Sequence, residues 1–395
     1  MRAETGAVRR ALPGLLALAL ALRVGFGLTQ EGLTAASDER NWDGVARAFL
    51  VSGVLHPGTY WPPLYPLMLA GTYRVVGPHP GTVRLWQALL GTITCMLLYG
   101  IGRRIGGARV GLVAAGLGAA YPLFVFFTGV LMAETLLVFL TAAALLLALR
   151  FEAACSTARA AALGAVLGLG ALCKPVVLAW VPLLLWGWWR RCGLCAGQRV
   201  ARVAAVVGTM GLVIAPWTVR NALVTGFFVP ISSNLGMNLM VGNEPGANGR
   251  YRNGVDYIAM FDRLTGSGHP VERDRRAVRV VLGWVAEAPA RFTGLVFRKL
   301  AWFWSPLAPD EPAHRNRVAL FSSGPLLVLG LLGTIRLRGR PEARAVGSLL
   351  LGLSLVHALF FAHTRFRLPI DAALMGPAAW VLVRGWDGWR RRAGM

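Results

Sequence analysis

Residues 37–66 read SDERNWDGVARAFLVSGVLHPGTYWPPLYP and follow the first long apolar run of the chain. Trp42, Val45 and Phe49 recur at helical spacing, which predicts a short amphipathic helix on a membrane surface, anchored there by its aromatic residues. Asp38 stands at the start of this helix, as its N-cap or in its first turn, where the helix dipole favours a carboxylate. The prolines that follow predict extended or turn geometry. Helix capping alone would explain a lone acid in this position, so features of the rest of the chain decide whether Asp38 is interpreted as catalytic.

Composition places the chain in a membrane. Of its 395 residues, 55% are hydrophobic and 15% are charged, and the mean hydropathy is +0.55. A soluble domain of this length is less apolar, so we expect an integral membrane protein. Residues 11–22 follow two arginines, but no small-residue cleavage site follows them, and this run is expected to stay as the first helix.

Apolar runs long enough to cross a bilayer recur along the whole chain. They occupy residues 11–30, 83–102, 110–128, 132–149, 203–218, 318–335, 346–362 and 368–383. Two shorter runs, 160–173 and 175–189, flank Lys174 and form either short spans or a re-entrant hairpin. The predicted fold is an all-α polytopic membrane protein, a single domain over residues 1–395 with about ten transmembrane helices and short surface helices in its extracytoplasmic loops.

The distribution of arginine predicts the topology. If every run crosses, the short arginine-rich loops lie inside, as the positive-inside rule requires. Two long segments then lie outside: residues 31–82 (the first long segment) and residues 219–317 (the second long segment). Function is expected on that extracytoplasmic face, because the inner loops are short.

Charge and cysteine content exclude other classes of protein. The net charge of +23 comes from residues that punctuate apolar runs, which is typical of topology signals and not of a nucleic-acid-binding face. Cys192 and Cys195 form a CxxC without a second pair or histidine partners, which favours free thiols over zinc. The sequence predicts no metal site by motif, and it leaves open whether a divalent cation is needed.

Further charged residues are expected at the outer ends of spans. Glu134, in YPLFVFFTGVLMAETLLVFL, falls in the first turn of a span. Either polar neighbours or the helix dipole offsets the free-energy cost of a carboxylate so close to an apolar run. Arg365 and Arg367, in VHALFFAHTRFRLPID, lie on an outer turn against the positive-inside trend. Their expected partner is an anion, either lipid headgroups or a phosphate-bearing ligand.

The second long segment begins after PWTVRN, which holds Arg220 at its outer end. The following FVPISSNLGMNLMVGNEPGANG is rich in Gly, Asn and Pro and predicts a packed loop without helix or strand. Residues 271–304 carry helical periodicity and predict surface helices that return to the membrane.

These pieces resemble the GT-C membrane glycosyltransferases, in particular the bacterial family 39 group related to protein O-mannosyltransferases and to the aminoarabinose transferase of lipid A. The matching features are the acidic pair Asp38–Glu39, the segments WPPLYP, RLWQALLGTITCMLLYGIGRRIGG, YPLFVFFTGVLMAE, PWTVRN and GNEPGANG, and the closing RFRLP. They cover nearly the whole chain in the order of the family.

The resemblance implies inverting transfer of a sugar from a polyprenyl-phosphate carrier to an extracytoplasmic acceptor, which is a lipid, a glycan or a protein. It implies a multi-pass location in the inner membrane, contact with membrane lipids and no nucleic-acid partner. It assigns Asp38 as the catalytic base, Glu39 as its neighbour and Glu134 as the acid of the second outer turn.

The chemistry of transfer needs one base for the acceptor hydroxyl and cations for the departing phosphate. Arg365, Lys174 and Arg220 are the candidates for binding the donor phosphate. The alternative function is a transporter or lipid flippase, which should show buried charges near the centres of spans and paired internal repeats. A noncatalytic assembly protein is a third possibility, and it would tolerate the loss of Asp38.

Overall fold

The computed structural model describes residues 2–33, 38–53, 58–190, 193–307 and 311–393. Cys192 of the CxxC and Pro57, one of the prolines of the 37–66 stretch, lie outside these ranges. Within them the regular structure is helical, apart from one isolated backbone bridge between Arg250 and Ala362. The predicted all-α fold is therefore confirmed.

The helices follow one another through short breaks. In chain order they are Arg2–Leu28 (α1), Asp38–Ser52 (α2), Leu64–Val76 (α3), Pro80–Gly106 (α4), Ala108–Ala120 (α5), Pro122–Gly129 (α6), Glu134–Ala153 (α7), Thr157–Cys173 (α8), Trp180–Trp189 (α9), Ala196–Thr225 (α10), Leu235–Asn243 (α11), Tyr257–Thr265 (α12), Pro270–Glu287 (α13), Pro289–Trp304 (α14), Ala313–Arg336 (α15), Pro341–Leu359 (α16) and Leu368–Arg392 (α17). Two 3₁₀ turns, Pro175–Ala179 and Thr364–Arg367, precede α9 and α17.

Seven of the described helices are long and apolar enough to cross a membrane: α1, α4, α7, α10, α15, α16 and α17. The number rises to nine if two bent pairs, α5 with α6 and α13 with α14, each count as one span. The runs on either side of Lys174 form shorter apolar helices, Thr157–Cys173 and Pro175–Trp189. The protein is a multi-span membrane protein, whereas the predicted number of about ten spans is not confirmed.

The predicted span at 110–128 is broken in the middle. Helices α5 and α6 meet there at an angle of 50°, because Pro122 has no backbone N–H with which to continue α5. At the break, the hydroxyl of Tyr121 donates to Asp371 Oδ2 at 2.8 Å and lies 2.7 Å from Ser323 Oγ. Asp371 also accepts from Arg367 Nε at 3.0 Å. We call these four residues the buried polar cluster, and it joins the break to α15 and α17.

Glycine allows the spans to approach closely. A Cβ added at Gly164 in α8 would lie 2.2 Å from the carbonyl oxygen of Val206 in α10. One added at Gly111 in α5 would lie 2.7 Å from the carbonyl oxygen of Tyr99 in α4. Larger side chains are excluded at both contacts, so the small residues of these helices serve to pack one span against another.

The first long segment contains α2 and α3. Helix α2 begins at Asp38, as predicted, but its apolar face packs against protein and not lipid. The ring of Trp42 is 5% exposed and lies 4.5 Å from that of Trp61 and 5.5 Å from that of Tyr65. The interpretation of Trp42 as a membrane anchor is therefore wrong.

Helix α3, which supplies Tyr65 to this aromatic packing, was not predicted from the sequence. WPPLYP was expected to have extended or turn geometry, but α3 begins inside it, with Pro63 as N-cap and Pro66 in the first turn. The first turn is the one place in a helix where proline loses no hydrogen bond. Tyr65 then lies in α3 where it can pack against α2.

The second long segment holds another unexpected helix, α11, where a loop was predicted. Its first turn is capped from a distance, since the N–H of Gly236 donates to Asp274 Oδ1 of α13 at 2.8 Å. A Cβ at Gly236 would lie 2.2 Å from the carbonyl oxygen of Asp274, so the glycine is needed for this approach. The predicted surface helices of 271–304 are α13 and α14, which are bent by 108° at Ala288.

The two long segments lie on the same side of the helical bundle. The N–H of Ser233 donates to the carbonyl oxygen of Thr59 at 2.7 Å, which joins the second segment to the first. The N–H of Ala362 donates to the carbonyl oxygen of Gly249 at 2.9 Å, which joins the second segment to the turn before α17. Residues far apart in the sequence therefore meet at one end of the bundle.

Candidate active site

Four of the six predicted site residues form one chain of ion pairs at this end of the bundle. Arg365 Nη1 lies 3.1 Å from Asp38 Oδ2, and Arg365 Nε lies 3.8 Å from Glu134 Oε1. Lys174 Nζ donates to the same oxygen of Glu134 at 2.6 Å. The order Asp38–Arg365–Glu134–Lys174 alternates negative and positive charge, and we call it the ion chain.

Exposure differs along the ion chain. The side chain of Asp38 is 36% exposed and that of Arg365 is 23% exposed, whereas Glu134 is only 1% exposed. Asp38 therefore offers a carboxylate that an incoming molecule can reach. Glu134 is shielded from solvent, and its cationic partners among the described residues are Lys174 and Arg365.

Asp38 and Glu39 are adjacent in the first turn of α2, but they point to different places. Glu39 is 1% exposed, and its Oε1 accepts a hydrogen bond from the N–H of Leu131 at 2.6 Å. This bond fastens the start of α2 to the turn that precedes Glu134. The geometry indicates that Glu39 fixes the position of its neighbours, because its carboxylate is turned into the protein.

The turn before Glu134 is held by several polar side chains. Gln87 donates to the carbonyl oxygens of Thr128 and Val130 at 3.1 and 2.7 Å, and Tyr65 donates to Gln87 Oε1 at 2.8 Å. Arg84 Nε donates to the carbonyl oxygen of Gly129 at 2.9 Å. Buried backbone carbonyls that lack helical partners are satisfied in this way. The start of α7, and with it Glu134, has a fixed position.

Lys174 lies at the break between α8 and the 3₁₀ turn that begins with Pro175. Its backbone is extended, with φ −148° and ψ 118°, because the residue before a proline is driven out of the helical region. The break leads the side chain out of the helix toward Glu134, and Nζ lies 5.3 Å from the ring centroid of Phe366. The extended residue before the proline thus places a cation in the site.

Arg365 belongs to the 3₁₀ turn Thr364–Arg367, which is anchored at both ends. At the start, His363 Nδ1 accepts from the N–H of Arg365 at 3.2 Å. At the end, Arg367 Nη1 donates to the carbonyl oxygens of Phe303 and Ser305 at 3.0 and 2.6 Å. Two arginines two residues apart in the sequence therefore serve different purposes: Arg367 is buried as an anchor, and Arg365 faces the site.

His363 remains neutral as it holds this turn. Burial lowers its pKa to about 3, and the positive charge of Arg365 adds to the shift. An imidazolium would have no lone pair on Nδ1 for the N–H of Arg365. His363 is thus a hydrogen-bond acceptor and not a proton donor at neutral pH.

Arg220, the sixth predicted residue, lies outside the ion chain. Its guanidinium carbon is 4.7 Å from the ring centroid of Trp217, and Nη1 donates to Asn221 Oδ1 at 3.1 Å and to the carbonyl oxygen of Gly58 at 3.4 Å. These contacts tie the end of α10 to the first long segment.

Aromatic residues near Asp38 were not identified from the sequence. Burial raises the pKa of Tyr60 to about 12, with smaller contributions from the carboxylates of Asp274 and Asp38. Tyr251 is more exposed, but partial desolvation still raises its pKa, and Tyr257 and Asp38 add to that shift. Both phenols therefore lie within electrostatic range of Asp38. The only sequence signal for them is their position in the segments GTYWPP and GRYRNG of the two long segments.

No group of three His, Cys, Asp or Glu side chains in the described ranges is arranged to hold a metal ion. The divalent cation that the sequence left open therefore stays untested. The described cysteines, Cys95, Cys155, Cys173 and Cys195, are free thiols.

Comparison with solved structures defines the class of fold. The archaeal oligosaccharyltransferase AglB from Archaeoglobus fulgidus, in complex with an inhibitory peptide and a dolichol-phosphate, matches 98% of this chain with a TM-score of 0.57 and 14% identity. The same enzyme tethered with an acceptor peptide matches 96% with a TM-score of 0.59 and 13% identity. This chain spans about half the length of those structures, 51% and 50%. The fold is that of the GT-C class of membrane glycosyltransferases.

A sequence match falls in the same class. Residues 60–219 match the family model described as dolichyl-phosphate-mannose-protein mannosyltransferase, and this range includes Glu134 and Lys174. A weaker structural likeness, with a TM-score of 0.47 and 19% identity, is to ArnT from Cupriavidus metallidurans, over 95% of this chain and 78% of that one. No curated protein matches the chain by sequence. The resemblance to GT-C glycosyltransferases inferred from the sequence is confirmed.

Proposed function

We propose that this protein transfers a sugar from a polyprenyl-phosphate carrier to an acceptor on the extracytoplasmic face of the inner membrane, with inversion at the anomeric carbon. The observation that carries the proposal is the ion chain, in which an accessible carboxylate pairs with one cation and a buried carboxylate links that cation to a second. The family match supports the class of donor, because its description names a dolichyl-phosphate-linked mannose. The acceptor is a lipid, a glycan or a protein.

Asp38 acts as the general base in this proposal. Its carboxylate takes the proton of the acceptor hydroxyl while the acceptor oxygen bonds to the anomeric carbon. The bond between that carbon and the phosphate oxygen breaks, and its electron pair stays on the phosphate. The carrier phosphate, with one negative charge as a diester, leaves as a monoester with a second negative charge.

Arg365 and Lys174 stabilise this growing charge. The guanidinium offers a bidentate fork to phosphate oxygens, and the ammonium acts as a compact point charge. Glu134 is buried between them and holds both cations near one point. The proposal assigns the donor phosphate to these two residues and not to Arg220.

The location of the site can be tested by labelling. Single cysteines introduced at Gly58 and Asn248, in the two long segments of a variant that lacks the native cysteines, should react with a membrane-impermeant maleimide in intact spheroplasts. A cysteine at Arg338, in the predicted inner loop, should react only after permeabilisation. The opposite pattern would place the ion chain on the cytoplasmic face and would refute the proposed topology.

A transporter remains the alternative from another class, and it predicts charge buried within spans. Arg23 in α1 is such a residue, at 1% exposure. Its guanidinium donates to the carbonyl oxygens of Ala19, Gly118 and Ala119 at 3.0, 2.8 and 3.3 Å. These fixed backbone partners favour a structural role, since a transport path needs groups that exchange partners.

The decisive experiment is to profile lipid-linked sugars and envelope glycans in a strain that lacks the protein. We expect polyprenyl-phosphate sugar to accumulate and one modified acceptor to disappear, with both changes reversed by the wild-type gene and not by Asp38→Asn. Unchanged pools of lipid-linked sugar would refute a transferase. Restoration by Asp38→Asn would refute the role of Asp38.

A further inference from the structure

Arg365 has two competing tasks in this site. It is the cation nearest to the accessible acid, with Nη1 at 3.1 Å from Asp38 Oδ2 and 3.8 Å from the sulfur of Met132. It is also the bidentate candidate for the donor phosphate. The Nη1 that holds Asp38 belongs to the fork that a phosphate would occupy.

The two halves of the ion chain differ in how readily they can rearrange. Lys174 and Glu134 share a 2.6 Å hydrogen bond around a carboxylate that is 1% exposed. Lys174 is 22% exposed, but breaking this pair is costly because Glu134 would lose its hydrogen-bonded partner at a position that water does not reach. Arg365 and Asp38 are 23% and 36% exposed, and pairs with such access to water are weak and exchange easily.

Arg365 has an unused hydrogen-bond donor on its buried side. Its Nε is buried without a hydrogen-bond partner among the described residues, and so is Glu134 Oε2. The gap of 3.8 Å from Arg365 Nε to Glu134 Oε1 is too long for a hydrogen bond. A small rotation of the guanidinium away from Asp38 would let Nε close on Glu134 while the outer nitrogens turn to a ligand.

We propose that Arg365 masks Asp38 by pairing with it while the site is empty. When the polyprenyl-phosphate donor binds, Arg365 pairs with its phosphate instead, and Asp38 is free to take the proton of the acceptor hydroxyl. The proposal rests on the function given above and adds the coupling between donor binding and the base. Lys174 and Glu134 stay paired throughout and provide the fixed half of the site. The donor must bind before Asp38 can act.

The charges balance across this exchange. Before transfer, the four side chains of the ion chain cancel one another and the donor phosphodiester carries one negative charge. After transfer, the phosphate has gained a negative charge and Asp38 has gained the acceptor proton. The total charge of the site is unchanged, so proton uptake by Asp38 compensates for the charge that appears on the phosphate.

The proposal makes an unusual prediction for binding, because Asp38 and the phosphate compete for one cation. Asp38→Asn removes the competitor, so the purified full chain should bind undecaprenyl phosphate about fivefold more tightly than the wild type, the effect of releasing one part-exposed ion pair. Binding can be measured in nanodiscs by native mass spectrometry. Asp262→Asn is the matched control, since Asp262 pairs with Arg273 in the second long segment, and its affinity should equal that of the wild type.

A double-mutant cycle separates this exchange from simple charge repulsion. In an Arg365→Ala background, where Lys174 still provides a cation, Asp38→Asn should no longer tighten binding. Tightening of the same size in that background would overturn the proposal, because loss of repulsion would explain it. Should Asp38→Asn fail to fold, Asp38→Ser retains a capping side chain and provides the same test.

The outcomes distinguish the two proposals. Equal affinity of the wild type and Asp38→Asn for undecaprenyl phosphate would overturn the exchange of Arg365 and leave the transferase intact. Failure of the wild-type protein to bind undecaprenyl phosphate or dolichyl phosphate at all would count against the transferase itself.

Discussion

Replacing Asp38 by asparagine tests whether this residue is a base or only a helix cap. Asparagine keeps the shape and most of the capping ability of aspartate but cannot take a proton. If Asp38 is the base, transfer should fall by about 10²-fold or more, which corresponds to about 2.7 kcal/mol or more in the activation barrier. If it is only a cap, transfer should stay near normal.

The expected loss of stability is small and follows from the structure. Asp38 contributes one ion pair with Arg365, in which both side chains are partly exposed, worth about 1 kcal/mol or less. Its charge at the start of α2 adds about 0.3 to 1 kcal/mol through the helix dipole. Asp38→Asn should therefore cost less than about 2 kcal/mol and lower the midpoint of thermal unfolding by only a few degrees.

Asp43→Asn is the matched control on the same helix. Asp43 Oδ2 accepts from Arg47 Nε at 2.7 Å and Oδ1 accepts from the hydroxyl of Tyr73 at 2.5 Å, so its loss should cost more stability than that of Asp38. It should leave transfer nearly unchanged, because Asp43 faces α3. Transfer is assayed in membranes of a strain lacking the protein, with radiolabelled polyprenyl-phosphate sugar, and stability is measured on the same purified samples. Substantial activity in Asp38→Asn would falsify its assignment as the base.

Three further predictions follow from the surroundings of Asp38. Arg365→Ala should raise the KM for the lipid-linked donor by roughly tenfold to a hundredfold. Arg365→Lys should raise it by less, because lysine keeps the charge but lacks the bidentate guanidinium. Equal KM values for the two variants would exclude bidentate contact. Glu39→Gln should retain most transfer, because an amide oxygen can still accept from Leu131, whereas Glu39→Ala should cost about 1 to 3 kcal/mol of stability in thermal unfolding; a large loss of transfer in a stable Glu39→Gln protein would contradict this. Burial and Arg365 lower the pKa of His363 to about 3, so the unfolded chain binds a proton at a higher pH than the folded protein does. Stability should therefore fall as the pH drops below 6.5, by about 2 kcal/mol at pH 5, and the pH profile of thermal unfolding should be flatter in His363→Gln. An unchanged profile in that variant would show that other groups are responsible.

The sequence indicated the four residues of the ion chain because they lie at the ends of apolar runs or shortly after them. Glu134 and Arg365 each stand where a span meets a short turn, Asp38 starts the short helix that follows the first span, and every second connection between spans lies on the same side of the membrane. Lys174 was marked by the proline that follows it. The structure joins these four residues in the ion chain, while their catalytic roles stay predictions. Local sequence was sufficient here because the end of a span is a local property.

The sequence was misleading where a distant residue determines local structure. The segment around Gly236 has the composition of a loop, but a carboxylate 38 residues away caps it as helix α11. Trp42 has the spacing of a lipid-facing anchor, but Trp61 and Tyr65 cover it. Helical periodicity reveals that a face is apolar, and it does not reveal whether protein or lipid covers that face.

The pairing of Arg367 with Asp371 bears on how the last helix enters the membrane. Both side chains are 0% exposed, and each alone would make α17 expensive to insert. The two residues are four apart, at the end of the 3₁₀ turn and in the first turn of α17, so their charges can neutralise each other as soon as this segment folds, before it packs against the other spans. The helix can therefore leave the translocation machinery as a nearly neutral unit and find Tyr121 and Ser323 afterwards.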